Sequence, residues 1–319
     1  MGEKRLVGLV GYPIAHSLSP AMHQAAYAAL GLDWEYGLYP CESQEDFFSL
    51  VDKATDPASG FLGLNVTMPY KTCASRACAR QSAAARLARS VNVMTFEPSG
   101  SLGARSDASG ANTDGVGVVR FLKDEAVVEF ASARVLLCGT GPTAAAIAVA
   151  LRDAGAESVS VLSRDAARAT ELMGRIGHAG ATGNYADAAL VRRLVAECTV
   201  VIDATPLGMQ PHDGSVIPVE LLGPSHTVLD VVYGHGVTAL VAGARERGAQ
   251  AYDGLGMLVE QAALTIELWA AACGLALVAP RGLMRQAATG ALPDAVGAAH
   301  ATGLPDAGRA VGPSRQQHQ

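Results

Sequence analysis

The chain is poor in charge and poorer still in lysine. Only 17% of its 319 residues are charged, and 24 Lys and Arg against 30 Asp and Glu leave a net charge of −6. A basic footprint for nucleic acid is therefore missing. So is the low-hydrophobicity, high-charge balance that keeps a chain unfolded, since half of the residues are apolar. No run of about 18 apolar residues stands out, which argues against a membrane span. The N-terminus, MGEKRLVGLVG, lacks the long apolar stretch and the cleavage-site pattern of a secretion signal. Cys41, Cys73, Cys78, Cys138, Cys198 and Cys273 form no C-x-x-C pair and no Cys/His ligand cluster. They read as reduced, packed thiols of a cytoplasmic protein, with no metal site.

Only four of the 24 cationic side chains are lysine: Lys4, Lys53, Lys71 and Lys123. In an arginine-dominated chain a lysine inside a motif stands out, because lysine can release its proton and arginine cannot. What the chain has in excess is glycine, 35 residues, which points to tight turns and close backbone–ligand approach. The length predicts about two domains.

Strands and helices alternate along the chain, which predicts a parallel α/β arrangement. Leu6–Val10 reads as a strand, 20–30 as a helix with Pro20 at its start and Gly31 at its end. Phe61–Thr67 is a second strand, 72–90 a helix, and Val91–Phe96 a third strand. Residues 97–112 are Ser/Gly-rich, a loop or long hairpin. A helix at 114–126 leads to Arg134–Cys138, a glycine turn, a helix and Ser158–Leu162, the size of one strand–helix–strand unit. Strands at Val200–Asp203 and Val228–Val232, with helices near 186–197 and 236–248, complete a nucleotide-binding domain at 114–253. Residues 1–113 form the other domain, and the helical segment from 254 to 287 packs back on it. From 288 to 319 the chain is Gly/Pro/Ala/Gln-rich and predicts a disordered tail.

Gly139-Thr140-Gly141-Pro142-Thr143-Ala144 fits G-x-G-x-x-A between a strand and a helix. The glycines permit a tight turn against a pyrophosphate, and the helix start supplies N–H donors. About 20 residues on, where an NAD site carries Asp or Glu, stands Ser163-Arg164-Asp165, with Arg168 one turn later. Two guanidiniums suit a 2′-phosphate that a carboxylate would repel, so NADP is the expected cofactor. The plainer alternative makes both arginines surface groups paired with Asp165.

Polar clusters sit at the ends of the first-domain strands: Ser17 and Ser19 in HSLSP, Asn65, Thr67 and Lys71 in NVTMPYK, and Asn92 in SVNV. A further one, NTD with Asp114, opens the inter-domain helix. Strand C-terminal ends are where α/β proteins hold ligands. The inventory suits a small ligand bearing a carboxylate and several hydroxyls, with lysine and aspartate as a proton donor–acceptor pair beside a reacting C–O bond. Taken singly, Ser19 could cap the helix and Asp114 could be the N-cap of the next. His16 reads as positional, His23 is given no role, and Tyr12 and Tyr233 lie at strand ends.

With VGYPIAHSLSPAMH, LNVTMPYK, VNV, NTDGVG, GTGPTA, DATPLGM, LDVVYG and GLGMLVEQA in order from residue 7 to about 270, the chain resembles the shikimate dehydrogenase family. The resemblance implies an α/β fold of two domains, an N-terminal α/β substrate domain and a Rossmann-like NADP-binding domain. It implies reversible reduction of 3-dehydroshikimate to shikimate by NADPH, on the route to chorismate and the aromatic amino acids. Ser17 and Ser19, helped by Tyr233, would take the substrate carboxylate. Asn65, Thr67, Asn92, Asp114 and Gln261 would hold the ring hydroxyls, and Lys71, oriented by Asp114, would be the general acid/base. Gly139, Thr140, Gly141, Pro142, Thr143 and Ala144 would cradle the pyrophosphate, and Ser163, Arg164 and Arg168 the 2′-phosphate end. Thr205, Met209 and Gly254 would lie near the ribose and nicotinamide, and a homodimer is a family-level expectation.

Three departures bear on substrate choice. Pro142 stands where the family often has Gly and removes one N–H, although proline suits a helix's first turn. Val93 replaces the usual Thr, and the 97–112 segment is longer than the family's hairpin. A relative acting on quinate or an aminoshikimate is one alternative, and a non-catalytic ligand sensor on the same fold is another. The arginine pair speaks against an NAD-linked quinate enzyme. The retained Lys71 and Asp114 speak against the sensor.

Overall fold

A computed structural model of the chain describes residues 4–97 and 107–292. Two six-stranded sheets carry the fold. The first holds β1 (Arg5–Gly11), β2 (Trp34–Pro40), β3 (Phe61–Val66), β4 (Arg80–Gln81), β5 (Val93–Glu97) and β6 (Asp107–Ala111), in the order β2-β1-β3-β5-β6-β4. β1 runs parallel to β2 and β3, but β5 is antiparallel to both β3 and β6. This sheet is therefore mixed, where strand–helix alternation alone predicts a parallel one. Only nine residues separate β5 from β6, fewer than the crossover that a parallel pair needs.

The helix expected over 72–90 is two short ones, α3 (Lys71–Ala77) and α4 (Ala83–Ala88). Between them β4 pairs with the free edge of β6, Ala79 N–H donating to Ala108 O at 3.0 Å. Ser82 then caps α4 through Ala85 N–H. The sheet edge wins over the helical preference of an alanine-rich stretch. β2 and α2 (Gln44–Ala54) went unpredicted, although Ser43 and Asp46 form a capping box that marks the start of α2.

The second sheet is wholly parallel: β7 (Arg134–Cys138), β8 (Ser158–Ser163), β9 (Thr182–Asn184), β10 (Val200–Asp203), β11 (Thr227–Asp230) and β12 (Gln250–Tyr252), ordered β12-β11-β10-β7-β8-β9. The chain winds away from β7 in both directions, so a crevice opens at its C-terminal end. α6 (Pro142–Asp153), α7 (Ala166–Ile176), α8 (Ala188–Glu197) and α9 (Ala239–Glu246) belong to this half.

α5 (Asp114–Asp124) joins the halves, and α10 (Leu255–Ala272) and α11 (Arg281–Gly290) return to the first one. α10 buries Leu258, Val259, Ala262, Ile266 and Trp269 against Val7, Leu9 and Val93. By length and composition α10 could cross a membrane, at a mean hydropathy of 1.2, so the expectation of no such run needs correcting. Yet 67% of it lies buried inside the molecule, as in the core helix of a globular fold. Its polar positions are satisfied, since Arg281 of α11 donates to Glu260 at 2.8 Å and to Glu267 at 3.0 Å. The helical chain runs past residue 287, to Gly290, and Leu292 is buried. Residues 98–106 of the expected loop and 293–319 of the expected tail lie outside the described residues.

Candidate active site

β3 ends at Val66, and the turn Thr67–Tyr70 delivers Lys71 as the first residue of α3. Asp114 is the first residue of α5, where the helix dipole favours negative charge. Lys71 Nζ donates to Asp114 Oδ2 at 2.5 Å, and the two side chains are only 11% and 6% exposed. A buried charge pair is tolerated when both partners are otherwise hydrogen-bonded, and both are. Lys71 Nζ also donates to Thr143 Oγ1 at 3.1 Å. Asn92 Nδ2 donates to Asp114 Oδ1 at 2.7 Å. The Asp114 N–H reaches Asn112 Oδ1 at 3.0 Å.

Neither capping alternative holds. α5 is capped by Thr113 and α1 (Ser19–Leu30) by Leu18, and neither cap makes a side-chain bond. Asp114 and Ser19 are thus free of that duty. The Ser19 N–H donates to Ser17 Oγ at 3.2 Å, leaving the Ser17 hydroxyl hydrogen available.

The two asparagines are committed within the protein. Asn92 Nδ2 also donates to Thr113 Oγ1 at 3.0 Å, and its Oδ1 accepts the Thr113 N–H at 2.8 Å. Asn65 Nδ2 donates to Asn92 O at 3.3 Å and to Thr265 Oγ1 at 3.2 Å, while its Oδ1 accepts from Tyr36 OH at 2.9 Å. Beneath Tyr36, His23 is fully buried and stacked on that ring at 4.1 Å. Burial pushes His23 down to about 3, so it is neutral. Its Nδ1 meets Tyr27 OH at 2.8 Å, and its Nε2 has no partner. Gln261, half-buried on α10, holds Leu258 O at 3.0 Å and meets Thr113 Oγ1 at 3.5 Å. Thr113 enters the sequence reading only as part of the NTD cluster, and Tyr36 and Thr265 do not enter it. The latter two lie in stretches without a polar cluster to mark them.

Thr67 and Tyr233 are partly buried. Burial, helped by the charge of Asp114, pushes the Tyr233 hydroxyl up to about 12. Exposed His16, from the β1–α1 loop, meets exposed His235 of the other half edge-on, with ring centroids 5.9 Å apart.

The glycine turn forms as expected. Gly139 has φ +111°, a conformation costly for any residue with a Cβ, and an added Cβ would stand 3.1 Å from Ala204 O. Gly141 is the N-cap of α6, Pro142 occupies its first turn, and Ala144 is fully buried. Thr140 and Thr143 are half-buried at the mouth of the turn. At the tip of β8, Ser163 closes on Asp165, donating to its carbonyl at 2.5 Å and accepting its N–H at 3.0 Å. Asp165 caps α7 through Ala167 N–H and lies 3.6 Å from Arg168 Nε. Its carboxylate is thus engaged, while Arg164 and Arg168 are exposed. No contact draws the two arginines together among the described residues.

β10 and β11 end side by side in Asp203 and Asp230, each 1% exposed. Burial, then the facing Asp230, pushes Asp203 up to about 7; burial raises Asp230 to about 6. Asp203 Oδ1 accepts the Thr205 N–H at 2.8 Å, and Asp230 accepts from Thr238 Oγ1 at 2.7 Å. Thr205 and Met209 line the loop that follows, both half-buried. Gly254 caps α10 at the end of β11, where a Cβ would stand 2.1 Å from Val231 O. Its glycine is explained by packing alone.

Lys71, Asp114, Asn92, Asn65, Gln261 and Thr143 therefore form one connected cluster where the strand ends of both sheets meet. The glycine turn enters it, and the arginine pair stands apart from it. Residues 9–94 match the shikimate dehydrogenase substrate binding domain, and residues 122–208 match shikimate / quinate 5-dehydrogenase. The shikimate dehydrogenase (NADP(+)) of Rubrobacter xylanophilus is 39% identical over 272 residues, 84% of this chain and 91% of that protein. The shikimate 5-dehydrogenase of Thermus thermophilus, solved with NADP(H) and shikimate, superposes with a TM-score of 0.76 at 29% identity, covering 90% of this chain and 100% of that one. The quinate dehydrogenase of Corynebacterium glutamicum, solved with NAD, also scores 0.76 at 29% identity, over 89% and 98%. Fold, motif order and relatives agree: the chain belongs to the shikimate dehydrogenase family.

Proposed function

We propose that this chain is an NADP-dependent shikimate dehydrogenase. It reversibly reduces 3-dehydroshikimate to shikimate in the biosynthesis of chorismate and the aromatic amino acids. The observation that carries the reading is the buried Lys71–Asp114 pair at 2.5 Å, beside the glycine turn. Residues 1–113 with 254–287 hold the substrate in this reading, and 114–253 hold NADP. The buried free cysteines suit a reducing compartment and hence a cytoplasmic enzyme.

The chain's own groups fit the cofactor. The turn at Gly139 brings backbone close, the start of α6 offers unpaired N–H groups, and the tip of β8 presents cations with its one carboxylate engaged. NADP, when bound, exchanges a hydride with the ring carbon. Lys71 handles the accompanying proton: in reduction an Nζ–H passes to the carbonyl oxygen, and in oxidation the neutral amine takes the hydroxyl proton. Asp114 holds Nζ in place and compensates its charge. Asn92, with its amide spent on Asp114 and Thr113, fixes that carboxylate. Asn65 is fixed likewise by Tyr36 and Thr265, so both wall the ring before they grip it. Ser17, Ser19 and Tyr233 offer hydroxyls to the substrate carboxylate, Thr67 and Gln261 complete the ring's surroundings, and Thr205, Met209 and Gly254 border the nicotinamide end.

Initial rates with shikimate and quinate, each with NADP⁺ and NAD⁺, test this. Shikimate with NADP⁺ is expected to dominate. Dominance of quinate with NAD⁺ would remove the pathway assignment and the role of the arginines.

A further inference from the structure

Thr143 of the glycine turn lies 72 residues from Lys71 and 29 from Asp114, yet its side chain touches both members of the pair. Thr143 Oγ1 accepts from Lys71 Nζ at 3.1 Å and donates to Asp114 Oδ2 at 3.4 Å. With the 2.5 Å bond between Lys71 and Asp114, the three groups close a triangle. Thr143 is the second residue of α6, inside the turn that begins at Gly139. Its backbone N–H is among the unpaired donors of that helix start, while its hydroxyl faces away toward the lysine.

We infer that Thr143 is a positioning residue for Lys71, and that it ties the proton-transfer group to the cofactor turn. This inference rests on the shikimate dehydrogenase reading and adds a role to a residue whose backbone alone that reading uses. A hydroxyl is one donor and one acceptor and can rotate. It accepts from Lys71 while the lysine carries its proton, and can donate to the lysine once the proton has left. Asp114, ionised, can only accept. Thr143 is therefore the one neighbour in the triangle that can either accept from Nζ or donate to it. An ammonium has three hydrogens; Asp114 and Thr143 take two, leaving one direction for the substrate oxygen.

The experiment is steady-state oxidation of shikimate by wild-type, Thr143→Val and Thr143→Ser enzymes, with thermal melting as a check of folding. Valine keeps the shape and the backbone N–H but removes the hydroxyl; serine restores it. We expect kcat to fall roughly tenfold in T143V, the scale of a lost hydrogen bond to a charged group. The KM for NADP⁺ should stay within about twofold, since the backbone donor remains, and T143S should recover most of kcat. An unchanged kcat in folded T143V overturns the inference and leaves the dehydrogenase reading intact. So does a rise in the KM for NADP⁺ with kcat retained, or a loss of rate that serine does not repair. A wild-type enzyme silent toward shikimate removes the dehydrogenase reading and the inference with it.

Discussion

On the substrate side a buried carboxylate, Asp114, sits 2.5 Å from a lysine. On the cofactor side Asp203 and Asp230 are at least as buried, each 1% exposed, and they face each other across adjacent strands with no cationic partner among the described residues. The first arrangement pairs opposite charges, held by Thr143, Asn92 and Asn112. The second relies on backbone N–H groups and one threonine hydroxyl, and burial raises its carboxyls, Asp203 to about 7 and Asp230 to about 6. In the proposed function, recognition follows the same division. The substrate wall is made of side chains that fix one another, whereas the cofactor wall is a backbone turn with two exposed arginines at its far end.

Breaking the paired side should have the largest effect. Lys71→Ala removes the proposed proton donor, and kcat is expected to fall by about 10²–10⁴-fold, the scale of general acid–base catalysis. NADP⁺ binding, measured by fluorescence or calorimetry, should persist because the turn is untouched. A folded K71A enzyme with near-normal turnover would take the catalytic role away from this lysine.

The cofactor side should answer differently. Replacing Arg164 and Arg168 together by alanine is expected to raise the KM for NADP⁺ roughly tenfold, on the scale of charge-assisted bonds to phosphate, with kcat nearly kept. The preference for NADP⁺ over NAD⁺ should shrink by a similar factor. If the KM for NADP⁺ does not move, the two arginines are surface groups, as their exposure and the Asp165–Arg168 pair would then indicate.

How far each wall was legible in the sequence follows from what it is made of. The cofactor turn is a local pattern: Gly139, Gly141 and Ala144 sit within six residues, between a strand and a helix. Lys71 and Asp114 were legible as residue types in motifs, and their pairing needed only that both lie at C-terminal strand ends or helix starts. The network holding them was not legible. Tyr36 lies 29 residues from Asn65, and Thr265 lies 200 from it; such contacts belong to the fold and leave no local period. The split of 72–90 into α3 and α4 failed for the same reason, because β6, the strand that captures residues 80–81, comes later in the chain.

Tyr36→Phe would sharpen the account of the substrate wall. It deletes the 2.9 Å bond to Asn65 Oδ1 while keeping the ring that stacks on His23. Asn65 would be loosened without being removed. A threefold or so rise in the KM for shikimate is expected, at the lower end of the net worth of a neutral hydrogen bond, with the KM for NADP⁺ unchanged. Equal changes in both constants would mean that Tyr36 supports the whole molecule rather than this wall.

The smallest effect on activity, and a distinct one on stability, is expected from Asp203→Asn. Burial first, and then Asp230, raise Asp203 from 3.8 to about 7. Between those values the folded protein keeps a proton that the unfolded chain has released, so stability falls as pH climbs through that window. Asp230, raised to about 6, adds to the same slope over a narrower range. Asparagine cannot ionise, yet its Oδ1 can still accept the Thr205 N–H. Thermal melting of D203N should therefore match the wild type near pH 4 and exceed it at pH 8, by on the order of 3 °C for a chain of this size. The residual slope should keep the contribution of Asp230, opposed below pH 6.5 by that of His23, which the fold keeps neutral. A D203N protein that melts lower than the wild type at pH 8 would mean that the carboxylate works ionised at this strand end, and the two walls would then differ in their partners and not in their charge.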